Sequence, residues 1–282
     1  MTDEIKIVAL DLDGTLLDSS KRLSDGNRVA LEAAAANGVH IVPTTGRFFG
    51  MMPACVRDLP FVRYAITVNG AQVYDRMTDI ALVREEIPLE TAIGLMRLLD
   101  KYDVIYDCYR NNWGWMSGAF KAKATYYATD AHYLKMIEDF RRSVPELKVH
   151  LETTAAEGDV QKIMLFTRLD GDHGLLKAIA DEVSAAFPDV KVTSSTWNNL
   201  EINARTAHKG VALKRFAETL GLTLANCMAF GDGLNDLTMI EAAGVGVAMS
   251  NACPEVLSAA VYTTLSNDED GVAAALRHFG LA

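Results

Sequence analysis

Ile5-Lys6-Ile7-Val8-Ala9-Leu10 runs directly into Asp11-Leu12-Asp13-Gly14-Thr15-Leu16-Leu17, and this junction constrains the chain more than any other stretch. An apolar, β-prone run broken only by Lys6 reads as a buried strand of a parallel sheet. Ligand chemistry in such sheets collects at the carboxyl ends of the strands, where Asp11 and Asp13 fall. Two carboxylates one residue apart stay ionised together only if a cation lies between them; otherwise one holds a proton. Either arrangement is useful at a phosphate, which needs charge neutralisation, a nucleophilic oxygen and an acid for the leaving group. Asp-x-Asp-Gly also occurs as an ordinary solvated turn. The strand ahead of it and Thr15-Leu16-Leu17 behind it favour a site.

Further along, Ser24 suits the cap of a helix that carries Val29, Leu31 and the alanines 33–36 and ends at Gly38. Val39-His40-Ile41-Val42 is a second strand leading into Pro43-Thr44-Thr45-Gly46-Arg47. A helix is expected through Met51, Met52, Cys55 and Val56, then a third strand, Tyr64-Ala65-Ile66-Thr67-Val68, that stops at Asn69-Gly70. Strands alternating with helices give the doubly wound pattern. The character changes from residue 82. A helix over 88–102, strands at 162–167, 190–194 and 200–203, and a helix over 175–187 suggest an α/β insert of antiparallel type. Aromatic residues crowd its first part, including Trp113, Trp115, Phe120, Tyr126 and Tyr127. The doubly wound pattern resumes at Lys209 and continues to His278.

The 282 residues are half hydrophobic and 23% charged, a globular composition with ample chain for a core. A net charge of -10 disfavours non-specific nucleic-acid binding, so an anionic substrate would be attracted locally, by a metal or a few placed cations. Cys55, Cys108, Cys227 and Cys253 lack metal-ligand spacing and read as reduced thiols. No basic leader precedes an apolar stretch, and no uncharged run reaches the roughly 18–20 residues of a membrane span. A cytoplasmic protein without membrane or nucleic-acid partners is expected.

Three more segments carry chemistry. Thr45 offers a hydroxyl beside Gly46, whose backbone N–H is unshielded, a pair that can hold a phosphoryl oxygen or simply end a strand. Lys209 opens a helix, where a cation conflicts with the macrodipole, and so suggests a purpose such as pairing with Asp11. Phe230-Gly231-Asp232-Gly233-Leu234-Asn235-Asp236 is a second apolar strand ending in acids. Asp232 can reach a Mg²⁺ shared with Asp11, with Asn235 and Asp236 as caps or outer partners.

In this order the segments resemble the four signatures of the haloacid dehalogenase (HAD) superfamily, in the Cof-type phosphatase form. They are Asp11-x-Asp13-Gly14-Thr15, then Thr45-Gly46-Arg47, then Lys209, then Gly231-Asp232-x-x-Asn235-Asp236-x-x-Met239. Asn69 and Gly70 match as well; His208 stands where the branch commonly has a small polar residue. The resemblance implies a doubly wound parallel-sheet (HAD-like Rossmannoid) core of residues 1–81 and 205–282, with an inserted α/β cap, 82–204, that sets substrate choice.

It further implies that Asp11 attacks phosphorus and carries an aspartyl-phosphate, while Asp13 protonates the leaving alcohol and then activates water. Thr45 and Lys209 complete the catalytic set; Thr45, Gly46, Arg47, Asn69, Lys209 and Asn235 hold substrate. Asp11, the Asp13 carbonyl and Asp232 bind Mg²⁺. The expectation is a Mg²⁺-dependent hydrolase of small phosphate monoesters, sugar phosphates foremost and pyridoxal or flavin-pathway phosphates as competitors, acting as monomer or homodimer. The alternatives are a phosphomutase of the same superfamily and a phosphate sensor without turnover; the presence of Asp13 argues against the sensor. In the insert, Arg110, Trp113, Trp115, Lys121, Lys123, Tyr126 and Tyr127 either hold the substrate's organic part or pack within the insert itself.

Overall fold

A computed structural model describes residues 4–129, 131–172 and 174–282. The chain divides into two compact units: the part up to Arg84 together with Ala207–Ala282, and Glu85–Thr206.

The first unit is built on a five-stranded, all-parallel sheet. Its strands lie in the order Tyr262–Thr263, Val245–Ala248, Cys227–Gly231, Ile7–Leu10, His40–Pro43. Ile7–Leu10 is buried at every position, because alternate side chains enter separate cores. Val8 and Leu10 pack with Leu31, Ala34, Val272 and Leu276, on the side of helices Asp25–Ala36 and Gly271–His278. Ile7 and Ala9 pack with Leu213, Phe216, Met239 and Ile240, from helices Lys209–Thr219 and Leu237–Ala242. Ser24 caps the first of these helices, accepting the Asn27 N–H at 3.1 Å. From Ile7–Leu10 the chain steps to one side, and it later returns on the other through Cys227–Gly231. The crevice of such a sheet lies where the order reverses, between the carboxyl ends of these two strands.

Three local expectations are corrected in this unit. Tyr64–Thr67 does not extend the parallel sheet; it pairs with Gln72–Asp75, which pairs with Ile80–Arg84, in an antiparallel three-stranded sheet. Among the described residues, an isolated bridge, Thr44 with Ile66, is the only ladder contact that links it to the strand His40–Pro43. The Thr44 N–H bonds to Leu10 and the Thr45 N–H to Ile66, so by alternation the Pro43 nitrogen faces Tyr64–Thr67 and has no proton to donate. The helix expected through Met51 and Cys55 is broken into a 3₁₀ turn, Phe49–Met51, and a short helix, Ala54–Arg57. Pro53 forces Met52 into extended backbone between them. Residues 82–84, expected to open the insert, belong to the strand Ile80–Arg84, which is hydrogen-bonded into this unit, and the unit runs to Arg84.

The second unit contains a six-stranded sheet in the order Val190–Thr193, Asn199–Ala204, Lys162–Thr167, Val104–Arg110, Trp113–Ser117, Arg141–Val144. Neighbours are antiparallel except the last pair. Helices Leu89–Leu99 and Leu175–Ala186 accompany it. No helix among the described residues is long and apolar enough to cross a membrane.

Candidate active site

The register that places Leu10 opposite Phe230 brings the residues after both strands together, and the Asp11 N–H donates to the Phe230 carbonyl at 3.1 Å. Asp11, Asp232 and Asp236 each present a carboxylate oxygen, all within 4.8 Å of one another. Lys209, fully buried, donates through Nζ to Asp11 Oδ1 at 2.6 Å and to Asp236 Oδ1 at 2.5 Å. The other Asp236 oxygen accepts the N–H groups of Asp232 and Gly233, at 3.1 and 3.0 Å. Asp236 therefore ties the lysine to the turn that carries Asp232. It does not cap its own helix with its side chain, the first of the two roles expected for it.

Gly14 has a φ of +87°, and a Cβ there would lie 2.4 Å from Asp232 Oδ2, so only glycine fits between the two acidic segments. Thr15, next in the chain and fully buried, donates its hydroxyl to Asp232 Oδ1 at 2.7 Å. Thr15 was visible in the sequence only as a hydroxyl after the glycine, and its partner lies 217 residues away.

The electrostatics follow from burial and charge count. Burial pushes the Asp11 carboxyl up to about 7, against the pull of Lys209 and with Asp236 adding to it. Burial also raises Asp232, although the Thr15 hydrogen bond opposes the shift. Burial disfavours the Lys209 charge, but Asp11 and Asp236 outweigh it and hold the ammonium above its ordinary range. One lysine facing three acids leaves the cluster short of positive charge. The donor set is hard carboxylate oxygen, which suits Mg²⁺, and Asp11 and Asp232 fit as its ligands because Asp236 is committed to Lys209 and two backbone N–H groups.

Asp13 points elsewhere. Its oxygens meet Lys21 Nζ at 2.9 Å and Arg47 Nη2 at 2.8 Å. Burial alone would raise this carboxyl; Arg47 and Lys21 outweigh it and hold it below the usual range. Thr45 is buried and accepts the Arg47 N–H at 3.2 Å. Asn69 follows Val68 in a turn where both have positive φ, and the Asn69 Oδ1, 3.0 Å from where a Gly46 Cβ would be, is buried without a hydrogen-bond partner among the described residues. A β-branched residue held in left-handed backbone beside an unsatisfied polar atom is the kind of strain found at binding sites. Asn235 is exposed on the turn after Asp232, apart from the convergent acids. His208 turns out to be the helix cap before Lys209, its Nδ1 accepting the Val211 N–H at 3.4 Å.

In the second unit, three of the polar side chains expected to hold substrate, Arg110, Lys121 and Tyr127, have partners within that unit. Arg110 is buried and donates to the carbonyl and hydroxyl of Thr154; Lys121 donates to the carbonyls of Glu138 and Arg141; Tyr127 donates to Asp103. Trp113 lies under the Arg142 guanidinium at 3.6 Å.

A doubly wound sheet with acids at both strand ends of its reversal point and a buried lysine between them is an α/β site suited to an anionic group held with a cation. The chain matches the haloacid dehalogenase-like hydrolase family over residues 8–276, and it belongs to that family. It is 32% identical over 278 residues to a 5-amino-6-(5-phospho-D-ribitylamino)uracil phosphatase of Bacillus subtilis, covering 99% of this chain and 97% of that one. A second Bacillus subtilis phosphatase is 31% identical over 296 residues, covering 97% and 99%. Among solved structures, a haloacid dehalogenase-like hydrolase from Bacteroides thetaiotaomicron superposes with a TM-score of 0.80 at 28% identity, covering 98% of this chain and 100% of that one. A subclass IIB sugar phosphatase of the HAD superfamily does so with a TM-score of 0.75 at 25% identity, covering 98% and 100%. The chain is a phosphatase of the HAD superfamily.

Proposed function

We propose that the protein is a Mg²⁺-dependent phosphatase of small phosphate monoesters that works through an aspartyl-phosphate on Asp11. The observation that carries this reading is the convergence of Asp11 and Asp232 at the sheet's reversal point, with Lys209 buried against Asp11. An Asp11 oxygen forms the bond to phosphorus while the ester P–O bond breaks, and the leaving alkoxide takes a proton from Asp13. Water then attacks the acyl phosphate, Asp13 accepts the water's proton, and inorganic phosphate and free Asp11 result. Lys209, the Thr45 hydroxyl, the N–H of Gly46, Arg47 and Asn69 would hold the phosphoryl oxygens, with Asn235 at the outer edge. Asp11, the Asp13 carbonyl and Asp232 would hold Mg²⁺, which supplies charge neutralisation for the transferring group.

The pairing of Asp13 with Lys21 and Arg47 favours its ionised form, the one the second step needs. For the first step those cations must turn from Asp13 towards the incoming phosphate. The named activities of its relatives, on a phosphoribitylamino-pyrimidine and on sugars, support a phosphorylated polyol or sugar as substrate. The second unit, 85–206, would act as the cap that selects among them. Four free thiols accord with a cytoplasmic setting.

The test is a panel of sugar, polyol and heterocycle phosphates with and without Mg²⁺, run beside Asp11→Asn. The expected results are metal-dependent turnover of one ester class and a loss of at least about a thousandfold in Asp11→Asn, with the circular dichroism spectrum unchanged. Near-wild-type hydrolysis by Asp11→Asn, or full activity after exhaustive chelation, overturns the reading.

A further inference from the structure

The loop after the nucleophile, residues 14–19, is held by local backbone bonds, such as the Leu17 N–H to the Leu12 carbonyl at 2.9 Å, and by side chains from elsewhere in the chain. Asn251 Nδ2 donates to the Gly14 carbonyl at 2.8 Å, and Asn267 Nδ2 donates to the Leu17 carbonyl at 2.9 Å. The Asn27 side chain reaches the Leu16 carbonyl at 3.4 Å, and Asp268 accepts the Ser19 N–H at 2.8 Å. Asn251 and Asn267 are themselves joined, because the Asn267 N–H donates to Asn251 Oδ1 at 3.1 Å. That bond fixes which way the Asn251 amide faces: its oxygen is taken, so its NH₂ is aimed at Gly14.

The Gly14 carbonyl belongs to the peptide unit that carries the Thr15 N–H, so its orientation sets where Thr15 begins. Thr15 in turn donates to Asp232, and Gly14 lies so close to the same carboxylate that no Cβ fits between them. Loop and acid are in direct contact at packing distance, where a shift of a few tenths of an ångström is transmitted. We propose that Asn251 is a positioning residue for Asp232, acting through the peptide that joins Gly14 to Thr15. The inference rests on the reading of Asp232 as a metal ligand. Asn251 itself is exposed, so its hydrogen bond is not a buried group on which the fold depends.

The experiment measures Mn²⁺ binding to the full chain by electron paramagnetic resonance of the free ion, with thermal midpoints recorded alongside. The wild type is compared with Asp232→Asn, Asn251→Ala, Thr15→Val and the Asn251→Ala, Thr15→Val double variant. Removing an outer partner of a metal ligand weakens binding about tenfold, so Thr15→Val should do so. Asn251→Ala, one bond further out, should weaken it roughly threefold, the worth of one net hydrogen bond. In the Thr15→Val background the Asn251→Ala effect should shrink, because the hydroxyl route to Asp232 is gone and only the Gly14 contact remains. Wild-type affinity in Asn251→Ala, or the same loss in both backgrounds, overturns the proposal. Should Thr15→Val fail to fold, Thr15→Ala provides the second background. If wild type binds no Mn²⁺, or Asp232→Asn binds it unchanged, the metal reading itself fails and the proposal, which rests on it, falls with it.

Discussion

Each unit of this protein buries a cluster of opposite charges, and the two clusters differ in arithmetic. In the first, Lys209 faces Asp11 and Asp236 with Asp232 beside them. In the second, Arg141 pairs with Asp107 at 2.7 Å and Lys162 with Glu201 at 2.5 Å, and the Tyr109 hydroxyl accepts from Arg141 Nη2 at 2.7 Å. Strand register puts Asp107, Tyr109, Lys162, Glu201 and Arg141 on one face of the six-stranded sheet. Among the described residues, two cations there meet two acids. At Asp107 burial outweighs Arg141 and raises the carboxyl, whereas at Glu201 Lys162 outweighs burial and lowers it. The first cluster has more acid than base, and burial drives Asp11 up to about 7. Among the described residues the second cluster is balanced, cation for acid. An acid-rich one is held with a deficit that a divalent cation can fill.

The largest effect that would break this contrast is at Lys209. Lys209→Met leaves Asp11 and Asp236 without their shared cation, and stranding a buried charge costs about 3–5 kcal/mol. Turnover should fall by at least about a thousandfold, since the same ammonium would meet the phosphoryl oxygens. Steady-state kinetics and urea unfolding check both parts. Retained turnover would make Lys209 a structural lysine like Lys162.

The balanced cluster should behave differently when both members of a pair are replaced. Arg141→Met alone strands Asp107 and should destabilise by about 3–5 kcal/mol, whereas Arg141→Met with Asp107→Leu should recover most of that loss. Urea midpoints of the two variants decide the matter. No recovery would mean that this cluster, too, is more than a self-contained pair.

A finer measure of the deficit comes from protons. Burial pushes the Asp11 carboxyl up from its ordinary 3.8 to about 7 in the folded protein. The folded state therefore binds this proton more tightly than the unfolded state, and its contribution to stability falls as pH rises through that window. A cation needs the ionised carboxylate, so titrating Mg²⁺ into metal-free protein near pH 7 should release a fraction of a proton. Calorimetry in buffers of different ionisation enthalpy reads that fraction, and Asp11→Asn should lose it. Release that is unchanged in the variant would place the proton on another group.

Much of the first unit was legible in the sequence because its chemistry is local. Asp11, Asp13, Thr45 and Asp232 each sit at the end of an apolar strand, and strand ends can be read from hydrophobic runs. Thr15, Asn251 and Asn267 were not picked out as site residues, because their hydrogen bonds join segments with no mark on either side until the chain is folded. The second unit was harder for a related reason. Val104–Arg110 is buried at all seven positions yet contains Asp107 and Arg110, so the alternation that announces a strand is absent. Tyr64–Thr67 was read as a strand correctly but given the wrong sheet, because the consequence of Pro43 depends on which neighbour its nitrogen faces.

The smallest expected effect belongs to His208, adjacent to the site in sequence but cast by the structure as a cap. Its Nδ1 accepts the Val211 N–H at 3.4 Å, a long bond, and its backbone packs against Gly70, where a Cβ would lie 2.5 Å from the His208 carbonyl. Gly70 has a φ of +98° and leaves room for that approach, so the position is fixed by backbone contact more than by the imidazole. Losing a cap of this length should cost about 0.5 kcal/mol or less, below the range of a strong serine or aspartate cap. His208→Ala should accordingly shift the urea midpoint slightly and leave kcat and KM for every ester as in wild type, while His208→Ser, with a better capping group, should restore or exceed the original stability. A rise in KM without a change in midpoint would instead make His208 a substrate contact. The acid-rich cluster would then have a second nitrogen group serving it, and the charge count that separates the two units would need revision.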